Sequence, residues 1–157
     1  VEVQFAAFLQ HFGSSNQHHL NTACECNIGA GTVFLYVDHV IQALGDLGPH
    51  FIKWPDQTRC AEIHKAFGEQ GFPGAIGAIN GSLIHFVEVP AVDGSYYYCH
   101  KKFFGANIQA MVDHEGYFTS YDIGWPASQN DIVIFKKSSI WLERHKFFEP
   151  DKYLLAD

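Results

Sequence analysis

Four cysteines, ten histidines and one loop that joins cations to tyrosines are the groups with the widest chemical reach in this 157-residue sequence. Cys24, Cys26, Cys60 and Cys99 include no pair with the two-residue gap of a zinc knuckle or redox motif, so free thiols are expected. The histidines show no His-Glu-x-x-His spacing, and His18-His19 sits beside a turn where solvent exposure accounts for it; none is assigned a metal. His100-Lys101-Lys102 follows Tyr96-Tyr97-Tyr98. Cations beside rings can meet a nucleic-acid backbone and stack on bases, or they form a solvated loop with half-buried tyrosines. Ser128-Gln129-Asn130-Asp131 has the form of a capping box, with Asp131 as its acidic member. Asn80-Gly81, taken alone, reads as a tight turn between two strands.

The charge balance narrows what that chemistry can serve. Ten basic residues against seventeen acidic ones give a formal charge of −7, the wrong sign for binding driven by counterion release from DNA. A nucleic-acid role must therefore rest on a local patch, and the acidic balance suits a protein partner. A hydrophobic content of 47% supplies one sizeable core with a small helical annex. No apolar run reaches the roughly eighteen residues of a membrane span, and the opening Val-Glu-Val-Gln-Phe lacks the features of a signal peptide. A soluble intracellular protein with no membrane partner is expected.

Those residues are carried by two regimes of pattern. Val1, Phe5, Phe8, Leu9 and Phe12 predict an amphipathic helix over 1–12, stopped by Gly13. A second helical piece over Leu20–Cys26, the turn Asn-Ile-Gly-Ala-Gly, and a helix over Thr32–Leu44 follow. That outline invites a DNA-reading helix-turn-helix. Its second helix holds no Lys or Arg, however, and residues 1–74 carry 3 basic against 7 acidic side chains, so a packing role is expected. Asp56 is placed as N-cap of a further helix, with Cys60, Ile63 and Phe67 inward.

After Gly74 the pattern turns to strands: Ala75–Asn80 and Ser82–Val89 as one strand bent or bulged at Gly81, then Ala106–Asp113 and Tyr117–Ile123 joined by a hairpin over Asp113–Gly116. Ala106, Ile108, Ala110 and Val112 share one face of their strand. Gly124-Trp125-Pro126 breaks the third strand, and a helix runs to about Lys137. Ser138-Ser139 and Glu149-Pro150-Asp151 read as loops before a short strand over Tyr153–Ala156. The fold class is α/β, an α+β mixed sheet in the order β-β-β-α-β, preceded by a helical region.

Separate blocks in this order resemble the PIF/Harbinger transposases of the DDE superfamily. They are Phe51-Ile52-Lys53-Trp54-Pro55, the run Gly71 to Gly81, Gly124-Trp125-Pro126-Ala127-Ser128-Gln129-Asn130-Asp131 with Phe135, and Tyr153-Leu154-Leu155-Ala156-Asp157. The resemblance is weak before Phe51 and strong after it. It implies a helix-turn-helix-like helical region over 1–70, then an RNase H-like DDE nuclease domain over 71–157, truncated at its C-terminal end.

By the same resemblance the first catalytic Asp corresponds to Asn80, the second to Asp157, and the third carboxylate, a Glu on a later helix, has no counterpart. Ser82 and Leu83 stand where the family tends to have Thr and His. Asp131 is either a helix cap or an outer-shell carboxylate near the metals, and Asp157 either a ligand at a strand tip or a solvated residue. His100, Lys101 and Lys102 match a basic segment of the family that meets DNA. Two-metal phosphodiester chemistry needs several carboxylates, because two divalent ions about 4 Å apart must be charge-compensated. An amide at position 80 removes one such charge. The implied protein is a nuclear, Mg²⁺- or Mn²⁺-dependent DNA endonuclease by ancestry that is catalytically degenerate here. The alternative is a domesticated, non-catalytic DNA- or protein-binding remnant. In a mere fragment, Leu154 and Leu155 would be left exposed.

Overall fold

The computed structural model describes residues 1–13 and 19–157, so His18 lies outside the described residues. The chain divides into two compact units, Val1–Phe51 and Ile52–Asp157.

The first unit holds α1 (Glu2–Gly13), α2 (His19–Glu25) and α3 (Ala30–Phe51). Asn27, at a positive φ of 53°, turns the chain between α2 and α3, which are bent by 96°. Small or short residues fill the crossings: Ala7, Thr22, Ala23 and Val33 are buried. The apolar stripe expected to face inward is largely uncovered, with Phe5, Leu9 and Phe12 of α1 and Ile41 and Leu44 of α3 exposed. Helices that meet through such short side chains leave their larger ones uncovered. Helix α3 runs past its expected end at Leu44 through Gly45 and Gly48, because a helical glycine costs only about 1 kcal/mol relative to alanine. Pro49 sits in the last turn, and the helix ends two residues later. No single helix among the described residues is long and apolar enough to cross a membrane.

The second unit opens with α4 (Gln57–Glu69), capped as expected: the Asp56 carboxylate accepts from Arg59 N–H at 2.9 Å. Four strands follow, β1 (Ala75–His85), β2 (Gly105–Val112), β3 (Phe118–Pro126) and β4 (Tyr153–Leu155), in the sheet order β3-β2-β1-β4. The first three pair antiparallel, and β4 lies parallel to β1. Between β3 and β4 lie α5 (Asp131–Lys137), α6 (Ser139–Leu142) and α7 (Arg144–Phe147). This is the mixed α/β class, with the expected β-β-β-α-β order interrupted by two further short helices and by a 3-10 turn over Gly94–Tyr97 between β1 and β2.

Apolar clusters form around the sheet. Ile63 and Phe67 of α4 bury Ala75 and meet Leu155, whereas Ile79, Met111 and Ile140 gather Trp54, Phe135, Phe148 and Leu154. Leu154 and Leu155 are consecutive in a strand, so they point to opposite faces, and both are half-buried. The β2–β3 hairpin is closed by Asp113, whose Oδ1 accepts from Glu115 N–H at 2.9 Å and Tyr117 N–H at 3.0 Å, with Gly116 at φ +84°. Arg59 ties α4 to this hairpin, donating to Asp113 Oδ2 at 2.6 Å and to the Glu115 carboxylate. Those two acceptors raise the Arg59 guanidinium further above its ordinary range. Burial alone would raise the Asp113 carboxyl, but Arg59 and the two backbone N–H groups outweigh it and hold it below the usual carboxylate range.

Three local expectations are corrected. The β1–β2 register runs unbroken from Ala78↔Val112 to His85↔Gly105, so β1 has no bulge against β2 at Gly81 and ends before Val89. Strand β3 continues to Pro126, with a register shift where Gly124 takes φ +98°; β3 is an edge strand, where a proline costs no ladder bond. Ser138-Ser139 is not a loop stretch: Ser139 opens α6, and the Ser138 hydroxyl oxygen caps it by accepting from Trp141 N–H at 3.3 Å.

Candidate active site

Ala78 stands opposite Leu155 in the parallel pair of β1 and β4. Two residues further along each strand direction, Asn80 and Asp157 line one groove of 1020 Å³, and Asp131 at the start of α5 lines it with them. Arg144 and Lys152 bring positive charge to the same walls, and His145 lines them as well.

Asn80 pairs with Ala110 and Gly81 with Gln109, so Asn80-Gly81 is strand and not a turn. The Asn80 side chain is exposed, and its Oδ1 accepts from Gly81 N–H at 2.7 Å. Gly81 has a different reason to be glycine: a Cβ there would lie 2.5 Å from both carboxylate oxygens of Asp131.

Asp131 is not a capping group. Asn130 is the N-cap, its Oδ1 accepting from Ile132 N–H at 2.9 Å, and the Ser128 hydroxyl donates to the Tyr96 carbonyl instead. Freed from the helix end, the Asp131 carboxylate turns to the sheet, where Oδ1 accepts from Asn107 Nδ2–H at 2.7 Å. The Asp131 carbonyl accepts from Gln109 Nε2–H at 3.1 Å. Sequence reasoning passed over Asn107 and Gln109. The signal was available: two amides at alternate positions of a strand, with Met111 next on the same face. That face is the more buried one, whereas Ile108, Ala110 and Val112 are only half-buried.

His100, Lys101 and Lys102 are the exposed tip of a tight turn. Cys99 N–H donates to the Phe103 carbonyl and Lys102 N–H to the Cys99 carbonyl, each at 2.9 Å, and Tyr98 bridges Phe104. Cys99 anchors the turn inside; all four cysteines are free thiols. Tyr97 packs on Phe86 and Tyr98 on Phe104, at 5.6 and 5.0 Å between ring centres, while Tyr96 and Tyr98 remain exposed. His100 and Lys101 line a second groove of 610 Å³ that shares Gly81 and Asp131 with the first. Lys102 does not line it.

The donor set can be tested against a divalent ion on chemistry alone. Two carboxylates and an amide oxygen in one groove are hard oxygen donors suited to Mg²⁺ or Mn²⁺. Their two negative charges match one such ion and leave a pair under-compensated. Among the described residues no cluster of three or more His, Cys, Asp or Glu side chains is placed to hold a metal. The residues therefore fit a single ion in kind and fall short of two.

Comparison with known proteins places the chain in a family. The family described as DDE superfamily endonuclease matches residues 79–157, which takes in Asn80, Asp131 and Asp157. The chain is 30% identical over 143 residues, 90% of its length, to Protein Antagonist of Like Heterochromatin Protein 1 of Arabidopsis thaliana, covering 36% of that protein. A second Arabidopsis thaliana relative, Protein ALP1-like, is 30% identical over 74% of the chain and 29% of its own length. HARBI1 of Mus musculus, which is named as a nuclease, is 27% identical over 77% of the chain and 35% of its own length. The chain thus spans about a third of the length of these relatives, 29–36%. No solved structure gives a significant match. The chain belongs to the DDE superfamily endonucleases, of the Harbinger type.

Proposed function

We propose that this chain is the DDE-type endonuclease part of a transposase-derived protein, RNase H-like over residues 71–157 behind a helical region over 1–70, in which DNA cleavage has degenerated. One observation carries the reading: Asn80, Asp131 and Asp157 line a single groove, and the position expected to bear the first catalytic carboxylate bears an amide. DDE endonucleases use divalent ions, and a bound Mg²⁺ or Mn²⁺ supplies an activated water and polarises the phosphodiester. Asp157 and Asp131 are the carboxylates of this chain that would hold it, with Asn80 adding a neutral oxygen. Asn80 cannot supply charge, so the groove keeps hard donors while losing the electrostatic drive for a second ion. His100, Lys101 and Lys102 meet the phosphates of DNA from their exposed turn, and Arg144 and Lys152 attract the backbone into the first groove. The protein acts in the nucleus.

The deciding experiment compares nicking of duplex DNA with Mn²⁺ by the full-length protein carrying native Asn80 and by its Asn80→Asp variant. Cleavage is expected to be absent or feeble in the native protein and to rise in the variant. Equal cutting by the two would overturn the degeneracy.

The second reading, a non-catalytic remnant that binds a protein, is favoured by the formal charge of −7. Duplex-DNA affinity measured across salt concentrations separates it from DNA binding, because phosphate contacts impose a negative log–log slope. Absence of binding at low salt assigns the scaffold to a protein partner.

A further inference from the structure

The buried face of β2 carries two amides, Asn107 at 2% and Gln109 at 5% exposure, where a sheet would gain more from apolar side chains. Each is oriented by a partner that can only accept. The Asp131 carboxylate takes the Asn107 Nδ2–H and the Asp131 carbonyl takes the Gln109 Nε2–H, which fixes each amide nitrogen toward Asp131 and each amide oxygen away from it. In that orientation Asn107 Oδ1 and Gln109 Oε1 are buried with no hydrogen-bond partner among the described residues. Leaving an acceptor unpaired in the interior costs stability, so neither amide is placed for the sake of the strand. What both achieve is a grip on one residue. Gly81 completes it from the other side, since its missing Cβ is what lets the Asp131 carboxylate lie against β1.

We propose that Asn107 and Gln109 are positioning residues for Asp131, holding the first turn of α5 and its carboxylate at the groove so that Oδ2, outside the Asn107 bond, is presented to a divalent ion. This rests on Asp131 being a metal ligand, as the proposed function has it. The step is one of orientation only; neither amide touches the reacting phosphate. Outer-shell partners of this kind change metal affinity by about ten- to a hundredfold when removed.

The test uses the whole chain with Asn107→Leu, a near-isosteric apolar replacement, beside Asp131→Asn. Three quantities are read: Mn²⁺ affinity from the electron-spin resonance of the free ion, the Asp131 χ1 populations from three-bond NMR couplings, and the thermal unfolding midpoint. The expected result is that Asn107→Leu keeps or raises the midpoint, because an orphaned acceptor is gone. Asp131 is released from a single rotamer, and Mn²⁺ affinity falls at least tenfold. A merely structural amide would lower the midpoint and leave the affinity of the folded protein alone. A single Asp131 rotamer in Asn107→Leu overturns the positioning role whatever the metal does. Mn²⁺ binding left unchanged by Asp131→Asn, or absent already from the native chain, overturns the ligand reading instead, and the rotamer still judges Asn107. Should Asn107→Leu fail to fold, Gln109→Met reads the same quantities, with the same outcomes sinking the idea.

Discussion

Asn80→Asp is the perturbation with the most to say, because it places a third carboxylate in a groove that already has Asp131 and Asp157. Asn80 is exposed, so the added charge acts through water and not through a dry interior. For a unit charge about 4 Å from a divalent ion at water-like dielectric, the attraction is about 2 kcal/mol, equivalent to roughly thirtyfold in affinity. The sign reverses without the ion: a third carboxylate crowds two others, so the metal-free variant should unfold at a lower temperature than the native chain. Mn²⁺ should then stabilise the variant more than the native protein, as mass action requires of a ligand bound only by the folded state. Isothermal titration with Mn²⁺ gives the affinity, and thermal unfolding with and without the ion gives the crossover. An affinity unchanged within about threefold, against the roughly thirtyfold expected from the added charge, would refute the assignment of Asn80 to an ion-facing position.

Gly81→Ala should lower Mn²⁺ affinity and cost about 1–3 kcal/mol in chemical denaturation, because a Cβ 2.5 Å from the Asp131 oxygens forces the carboxylate out of its seat. Full native affinity in that variant would show that the seat is unimportant. Asp113→Asn removes the charge that Arg59 and two backbone N–H groups share, and is expected to destabilise by about 1.5–3 kcal/mol at neutral pH in urea unfolding. Since the folded Asp113 carboxyl lies below its unfolded value near 3.8, its contribution is fully present above that value and is lost as pH falls through the lower folded one. Native and Asp113→Asn chains should therefore converge in stability below pH ~4, and a constant gap down to pH ~2 would contradict the linkage. Replacing Lys101 and Lys102 by alanine should reduce the log–log salt slope of DNA binding by about 1 for each of the two lysines that meets a phosphate. An unchanged slope removes the turn from the interface.

Features with a period or a local signature are the ones legible in the sequence. The hairpin at Asp113–Gly116, the cap at Asp56 and the strand over Tyr153–Leu155 each declare themselves within a few residues. Helix α3 reads as ending at Leu44 from its apolar stripe, yet it continues through Gly45 and Gly48, neither of which is strong enough to stop the helix around it. Asn80-Gly81 carries the signature of a turn, and only the ladder to Ala110 and Gln109 places it inside a strand. The capping box at Ser128–Asp131 misleads for a similar reason. Asn130 and Ser128 both have capping side chains, and the choice between them is settled by the Tyr96 carbonyl, which comes from a loop far away in sequence. Long-range partners of this sort leave no mark on a local pattern.

The face of β2 carries the same lesson to the site itself. Ala106, Ile108, Ala110 and Val112 form the apolar alternation that a sequence reading places toward the core, but Asn107, Gln109 and Met111 are the more deeply buried set. An apolar face left half-covered and a polar face buried run against the ordinary patterning of a strand, and such local contradictions are expected where function is held in place. Here the contradiction has an address. Both amides reach Asp131, Asp131 lies against Gly81 of β1, where no Cβ stands in its way, and Gly81 follows Asn80. With an amide at position 80, the seat for the neighbouring carboxylate is nonetheless built from three residues on two strands. A scaffold drifting free of any use would gain stability by exchanging Asn107 and Gln109 for leucine or methionine, since either exchange removes an orphaned acceptor.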